Sequence, residues 1–191
     1  MKKATTAIMI MAITSLTAMS CADSQKGDSK DTTLSERSTS DDTETASSIQ
    51  NEGAKQVLAD YMSLKDALVD TDEKAAANAG KKLENTLENF KSDSYNSEDQ
   101  KELKDIVESA TEHAEHISRS DIAHQREHFL MLTKDITDMV AITGSENTLY
   151  EQFCPMYEDD GGAWLSMKKE IRNPYFGDKM LKCGEVQREI N

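Results

Sequence analysis

Between residues 53 and 143 apolar side chains recur every three or four positions, the period of an amphipathic helix, in four separate blocks. Val57, Tyr61, Leu64 and Leu68 share one face of the first block, and Ala76, Ala79, Leu83, Leu87 and Phe90 share one face of the second. Leu103, Ile106, Val107, Ala110, Ala114 and Ile117 mark the third; Ile122, Phe129, Leu132, Ile136, Met139 and Val140 mark the fourth. Asp72 and Glu73 suit the first turn of the second block, Asn96 or Ser97 caps the third, and Ser120 or Asp121 caps the fourth. Neither proline nor strand-like alternation interrupts the region. Four amphipathic helices with short polar connections predict an all-α fold, an antiparallel four-helix bundle.

The pattern fails on both sides of these blocks. Residues 1–20 begin with Lys2 and Lys3, continue through a short apolar run over 7–16, and end in Thr17-Ala18-Met19-Ser20 directly before Cys21. This arrangement resembles a bacterial lipoprotein signal, which implies removal of the leader and acylation of Cys21, with an ordinary secretory signal as the alternative. An apolar run of about ten residues is too short to span a bilayer, which takes roughly 20. Residues 22–52 carry no aromatic side chain and only Ala22, Leu34, Ala46 and Ile49 as apolar members, so residues 21–52 read as an acylated cysteine and a disordered tether. The expected location is outside the cytoplasm, lipid-anchored to a membrane, with the outer membrane facing the periplasm favoured over surface display.

Residues 144–184 hold five of the eight glycines, both prolines and six of the ten aromatic residues. Punctuation this dense, interleaved with large rings, predicts an irregular cap packed on the bundle. The folded domain is therefore placed at 53–191.

The chain carries 22 Lys and Arg against 36 Asp and Glu, a net charge of −14, which excludes nucleic-acid phosphate as a partner class and favours cations. Sulfur then stands out. Cys154, Met156, Met167, Met180 and Cys183 fall within thirty residues of one another, and thiolate with thioether is the donor set that selects Cu(I). A soft-metal site of Cys154, Met156, Met180 and Cys183 is one reading, with Met167 as an outer candidate and Zn(II) as the second metal. The other is a Cys154–Cys183 disulfide, natural in an oxidising compartment, with the methionines as core filler. The two stand side by side at this level.

Taking about 100° per residue, His128 lies roughly 80° from the centre of the fourth apolar face, a boundary position from which an imidazole could reach the sulfur-rich tail as a fifth ligand. His124 lies one turn earlier and nearer solvent. His113 and His116 read as a solvated face. His124-Gln125-Arg126-Glu127-His128 also fits H-x-x-E-H, a zinc-peptidase pattern that needs a third protein ligand and a substrate cleft. No Gly-rich phosphate loop and no nucleophile elbow is present, and a non-enzymatic role is expected.

Three stretches carry a family resemblance: Leu149-Tyr150-Glu151-Gln152-Phe153-Cys154-Pro155-Met156, Gly162-Ala163-Trp164-Leu165-Ser166, and the run from Ile171-Arg172-Asn173-Pro174-Tyr175-Phe176-Gly177 to Lys182-Cys183-Gly184. With Gln125-Arg126-Glu127-His128-Phe129, they resemble the domain of unknown function 3347 family over about residues 53–190; Thr133 stands where that segment is expected to carry Ser. The family occurs as exported lipoproteins and fused to periplasmic adaptor subunits of heavy-metal efflux pumps. The resemblance therefore implies handling of copper, silver or a related cation beside such a pump. The expectation from sequence is a metal-binding accessory that captures Cu(I) and hands it on. The competing reading is an interaction module in which Trp164, Tyr175 and Phe176 form a protein-binding surface beside the disulfide.

Overall fold

The computed structural model describes residues 42–191, with side chains from Glu52 onward. The leader, Cys21 and the tether up to residue 41 lie outside the described residues. Four helices follow in order, α1 (Asp42–Val69), α2 (Glu73–Glu88), α3 (Ser97–Arg119) and α4 (Ile122–Thr143). The backbone of α1 is already helical from Asp42, inside the stretch read as tether. Once a helix is nucleated by its buried face, each added residue costs little.

The starts of α2, α3 and α4 carry side-chain caps. Asp72 accepts from the Ala75 amide at α2, Asn96 from Glu98 and Asp99 at α3, and Asp121 from Ala123 and His124 at α4. The helices pack as a bundle. Asp60 meets Lys82 and Thr86 while Gly53 meets Phe90, so α1 and α2 run in opposite directions. Ser109 meets Asp135 and Ile117 meets Gln125, so α3 and α4 do the same. At the α2–α3 crossing a Cβ on Gly80 would lie 2.8 Å from Ile117 Cγ2 and 3.2 Å from the Ala114 oxygen, so only glycine allows this approach. Among the described residues no helix is long and apolar enough to cross a membrane.

The predicted irregular cap is instead partly a sheet, so the chain is mostly but not purely α. Three antiparallel strands, β1 (Leu149–Cys154), β2 (Gly162–Ser166) and β3 (Glu185–Ile190), are arranged with β1 in the centre. Period-two reading misses them for a physical reason. β2 is buried at four of its five positions, β3 is exposed at nearly all of its own, and the β1–β3 register shifts between Glu151 and Gln152. Leu149, Cys154, Trp164, Leu165 and Tyr175 join Tyr61, Phe129 and Leu132 in one continuous core.

Asn173, fully buried, organises the turn-rich segment between β2 and β3. Its side-chain oxygen accepts from the Tyr175 and Phe176 amides, and its amide group donates to the Cys183 carbonyl. Tyr61 ties the sheet to the bundle. Its hydroxyl lies 2.8 Å from Thr133 Oγ1 and accepts from the Leu165 amide at 3.1 Å. A serine at 133 would supply the same hydroxyl, which is why threonine is an equivalent choice there.

Candidate metal centre

The sulfur set does not form a metal site. Cys154 and Cys183 are joined as a disulfide, with Cα atoms 5.7 Å apart, so neither offers a thiolate. Met156, Met167 and Met180 are exposed at 62%, 42% and 36%, on the outside of the cap. Two of the three aromatics expected on a binding surface lie inside, and Phe176 is only partly buried. Trp164 and Tyr175 are buried at 0% and 2% exposure, and Tyr175 donates its hydroxyl to the Ala163 carbonyl. Tyr175 stacks on Tyr157 and meets Trp164 and Phe129 edgewise or tilted, so these rings build the core.

His128 does not turn toward the tail; its neighbours are the other three histidines. One ligand atom each from His116, His124 and His128 lie within 4.8 Å of one another, a group of three imidazoles drawn from two helices. His128 Nε2 stands 3.0 Å from His124 Nε2, and its Nδ1 stands 3.0 Å from His113 Nδ1. Its ring stacks on that of His116 with centroids 4.3 Å apart. Two nitrogens on one tetrahedral zinc, each about 2.0–2.1 Å from the ion, are about 3.3 Å apart, so the His124–His128 pair is close to the spacing that shared coordination needs.

The local chain dictates this convergence. Helices α3 and α4 are linked by Ser120 and Asp121 alone, so positions equidistant from that link face one another: 113 opposes 128, and 116 opposes 125. Gln125, fully buried, fixes the hairpin by donating to the carbonyls of Glu73, Ile117 and Ser120. Arg126 anchors α4 from the other side, donating to the carbonyls of Pro174 and Leu68 and to Thr71 Oγ1. Phe129 stacks on Tyr61 at 5.2 Å. Within Gln125-Arg126-Glu127-His128-Phe129, therefore, three side chains hold the helix in place and two face the histidine group.

Glu127 is one of those two. Its Oε2 lies 2.8 Å from His124 Nδ1, a contact that places the hydrogen on Nδ1 and turns Nε2 toward the other rings. In the H-x-x-E-H reading Glu127 would serve as a base; here it holds a histidine. His116, from the neighbouring helix, stands where a third ligand to the His124–His128 pair would. A cavity of about 220 Å3 between Arg126, Glu127, Tyr157, Tyr175, Phe176 and Lys179 abuts α4, but none of the four histidines lines it.

At His128 the electrostatics favour a lone pair over a proton. Burial, followed by the neighbouring His116, His124 and His113, holds His128 below the ordinary imidazole value, with Glu127 opposing. Behind the cluster, burial raises the Asp135 carboxyl above its usual range, opposed by a hydrogen bond from Ser109 and by His113.

Taken one helix at a time, the sequence turns His113 and His116 to solvent and offers His124 only through the H-x-x-E-H spacing. The signal that could have joined them is the length of the α3–α4 link combined with antiparallel pairing.

A family model described as protein of unknown function (DUF3347) matches residues 57–148. Over that span the chain is similar to this family. The match takes in the second part of α1, the other three helices and all four histidines and stops before β1, although the most distinctive motif series lies in the cap. No curated protein and no solved structure matches the chain.

Proposed function

We propose that this protein is a non-enzymatic metal-binding accessory whose site is His116, His124 and His128 and whose cargo is a borderline divalent ion, Zn(II) foremost, with Cu(II) as the competitor. The observation that carries the reading is the meeting of three imidazoles within 4.8 Å at the α3–α4 seam. Imidazole suits zinc, copper and nickel, whereas Cu(I) capture by soft donors has lost its two thiolates to the disulfide. Three ligands leave a coordination position for water or for a donor from another molecule, the arrangement ligand-exchange hand-over requires. A net charge of −14 raises the local concentration of cations. Export, acylation at Cys21, attachment to the outer membrane on its periplasmic side and work beside heavy-metal efflux components complete the proposal; the leader-like residues 1–20 and the likeness to the family support them.

Zinc titration in competition with a chromophoric chelator tests the site. Wild-type protein is expected to take up one equivalent, and His116→Ala and His128→Ala to lose more than about 100-fold in affinity, beyond the loss typical of an outer partner. Equal affinities in all three would overturn the assignment.

The second reading, a structural interaction module, is favoured by the disulfide itself, which spans 29 residues and staples the cap. Its surface would lie away from the buried Trp164 and Tyr175.

A further inference from the structure

We infer that His113 is not a fourth ligand but, together with Asp135, a positioning pair that fixes the tautomer of His128, turning its Nε2 lone pair toward the ion. The inference rests on the metal-site reading above and deepens it. It follows from counting hydrogens along one line of atoms. A neutral imidazole carries a single N–H, so each ring can offer a lone pair on only one side. Glu127 beside His124 Nδ1 settles that ring, leaving Nε2 as its donor atom toward a metal. His128 Nε2 faces that same atom at 3.0 Å. An ion held by both must find lone pairs on both, which sends the His128 hydrogen to Nδ1.

There it meets His113 Nδ1 at 3.0 Å, which must then accept, so the His113 hydrogen moves to Nε2. That atom lies 3.9 Å from Asp135 Oδ2, an oxygen already held by the Ser109 hydroxyl at 2.9 Å. The side chains of His113 and Asp135 are only 22% and 16% exposed, so the pair is largely covered, as His128 is in part, while His116 and His124 face solvent. A closure of about 1 Å would bring the carboxylate to hydrogen-bond distance. Metal-bound histidines commonly donate their second N–H to a carboxylate, directly or through a partner, and losing that partner weakens binding about 10–100-fold.

Without an ion, the two facing Nε2 atoms require the opposite arrangement, with His128 Nε2–H donating to His124 and His113 Nδ1–H donating to His128 Nδ1. On ion binding the His128 Nε2 proton passes to water. The His113 Nδ1 proton then crosses to His128 Nδ1, and water returns one proton to His113 Nε2. Two tautomers invert and the number of bound protons is unchanged.

Zinc titration of full-length wild type, Asp135→Asn and His113→Gln, with long-range nitrogen–proton NMR of the histidine rings, tests this. Both variants are expected to bind zinc about 10–100-fold more weakly than wild type. Asp135→Asn should melt no lower than wild type, since it removes a buried carboxylate without changing shape, so its affinity loss cannot be a loss of fold. In zinc-bound wild type, His128 should carry its hydrogen on Nδ1 and His113 on Nε2. Affinities of both variants within about twofold of wild type, or a ligated nitrogen on His113, would overturn the positioning role while leaving the three-histidine site standing. A wild-type protein that takes up no zinc would overturn both.

Discussion

The C-terminal cap and the α3–α4 seam make opposite impressions in sequence and in space. The cap is rich in aromatic rings, glycine, proline and sulfur, and its motifs are distinctive, yet its side chains are spent on construction. Trp164 and Tyr175 fill the core, Asn173 and Gln152 satisfy turn backbone, and the cysteines bond to each other. The seam is a plain acidic helix pair by composition, yet four ring nitrogens from His113, His124 and His128 form two 3.0 Å contacts there, with His116 stacked alongside. Unusual residues mark a difficult fold at least as often as they mark chemistry. An irregular region with few ladder hydrogen bonds needs specific side chains to satisfy its backbone, whereas a metal site asks only for common ligands in the right place.

The largest effect that can break this contrast is on the disulfide. Replacing Cys154 and Cys183 together by alanine is expected to lower stability by about 3.5 kcal/mol in the chain-entropy model for a loop of this length. Zinc affinity should remain that of wild type under conditions where the variant is folded. Denaturant unfolding and chelator competition measure the two, and a parallel loss of zinc would show that the cap shares in the site.

A smaller effect should appear at the joint between the regions. Tyr61→Phe leaves the buried Thr133 hydroxyl and Leu165 amide without their partner and is expected to cost roughly 1–3 kcal/mol in chemical denaturation. A cost below about 0.5 kcal/mol would mean that packing alone joins sheet to bundle.

The smallest expected effect sharpens the seam itself. His128 is held below its ordinary value in the folded state, so between the two values the unfolded chain binds the extra proton. Stability is therefore complete above the ordinary imidazole value of about 6.5 and declines as pH falls below it. The groups facing His128 are His113, His116 and His124, with Glu127 opposing and Asp135 behind His113. His128→Gln should flatten the decline between about pH 7 and 5 in denaturation midpoints; equal slopes would remove the seam as its source.

What the amino-acid order determined by itself was everything governed by local period and capping. The four helices, their apolar faces and the caps at Asp72, Asn96 and Asp121 follow from spacing at 3.6 residues and from side chains that satisfy orphan amides. The disulfide was legible only as one of two uses for the same pair of thiols, because spacing along the chain does not say whether two sulfurs meet each other or a common ion. The strands were hidden because burial in the cap follows packing on the bundle rather than alternation. The histidine group was hidden because each helix, taken singly, turns His113, His116 and His124 toward water and leaves His128 at the edge of its apolar face. Only the antiparallel closure about Ser120 and Asp121, with Gln125 locking it, brings the two pairs face to face, since proximity between helices depends on which faces pack and not on the residues' distance along the chain.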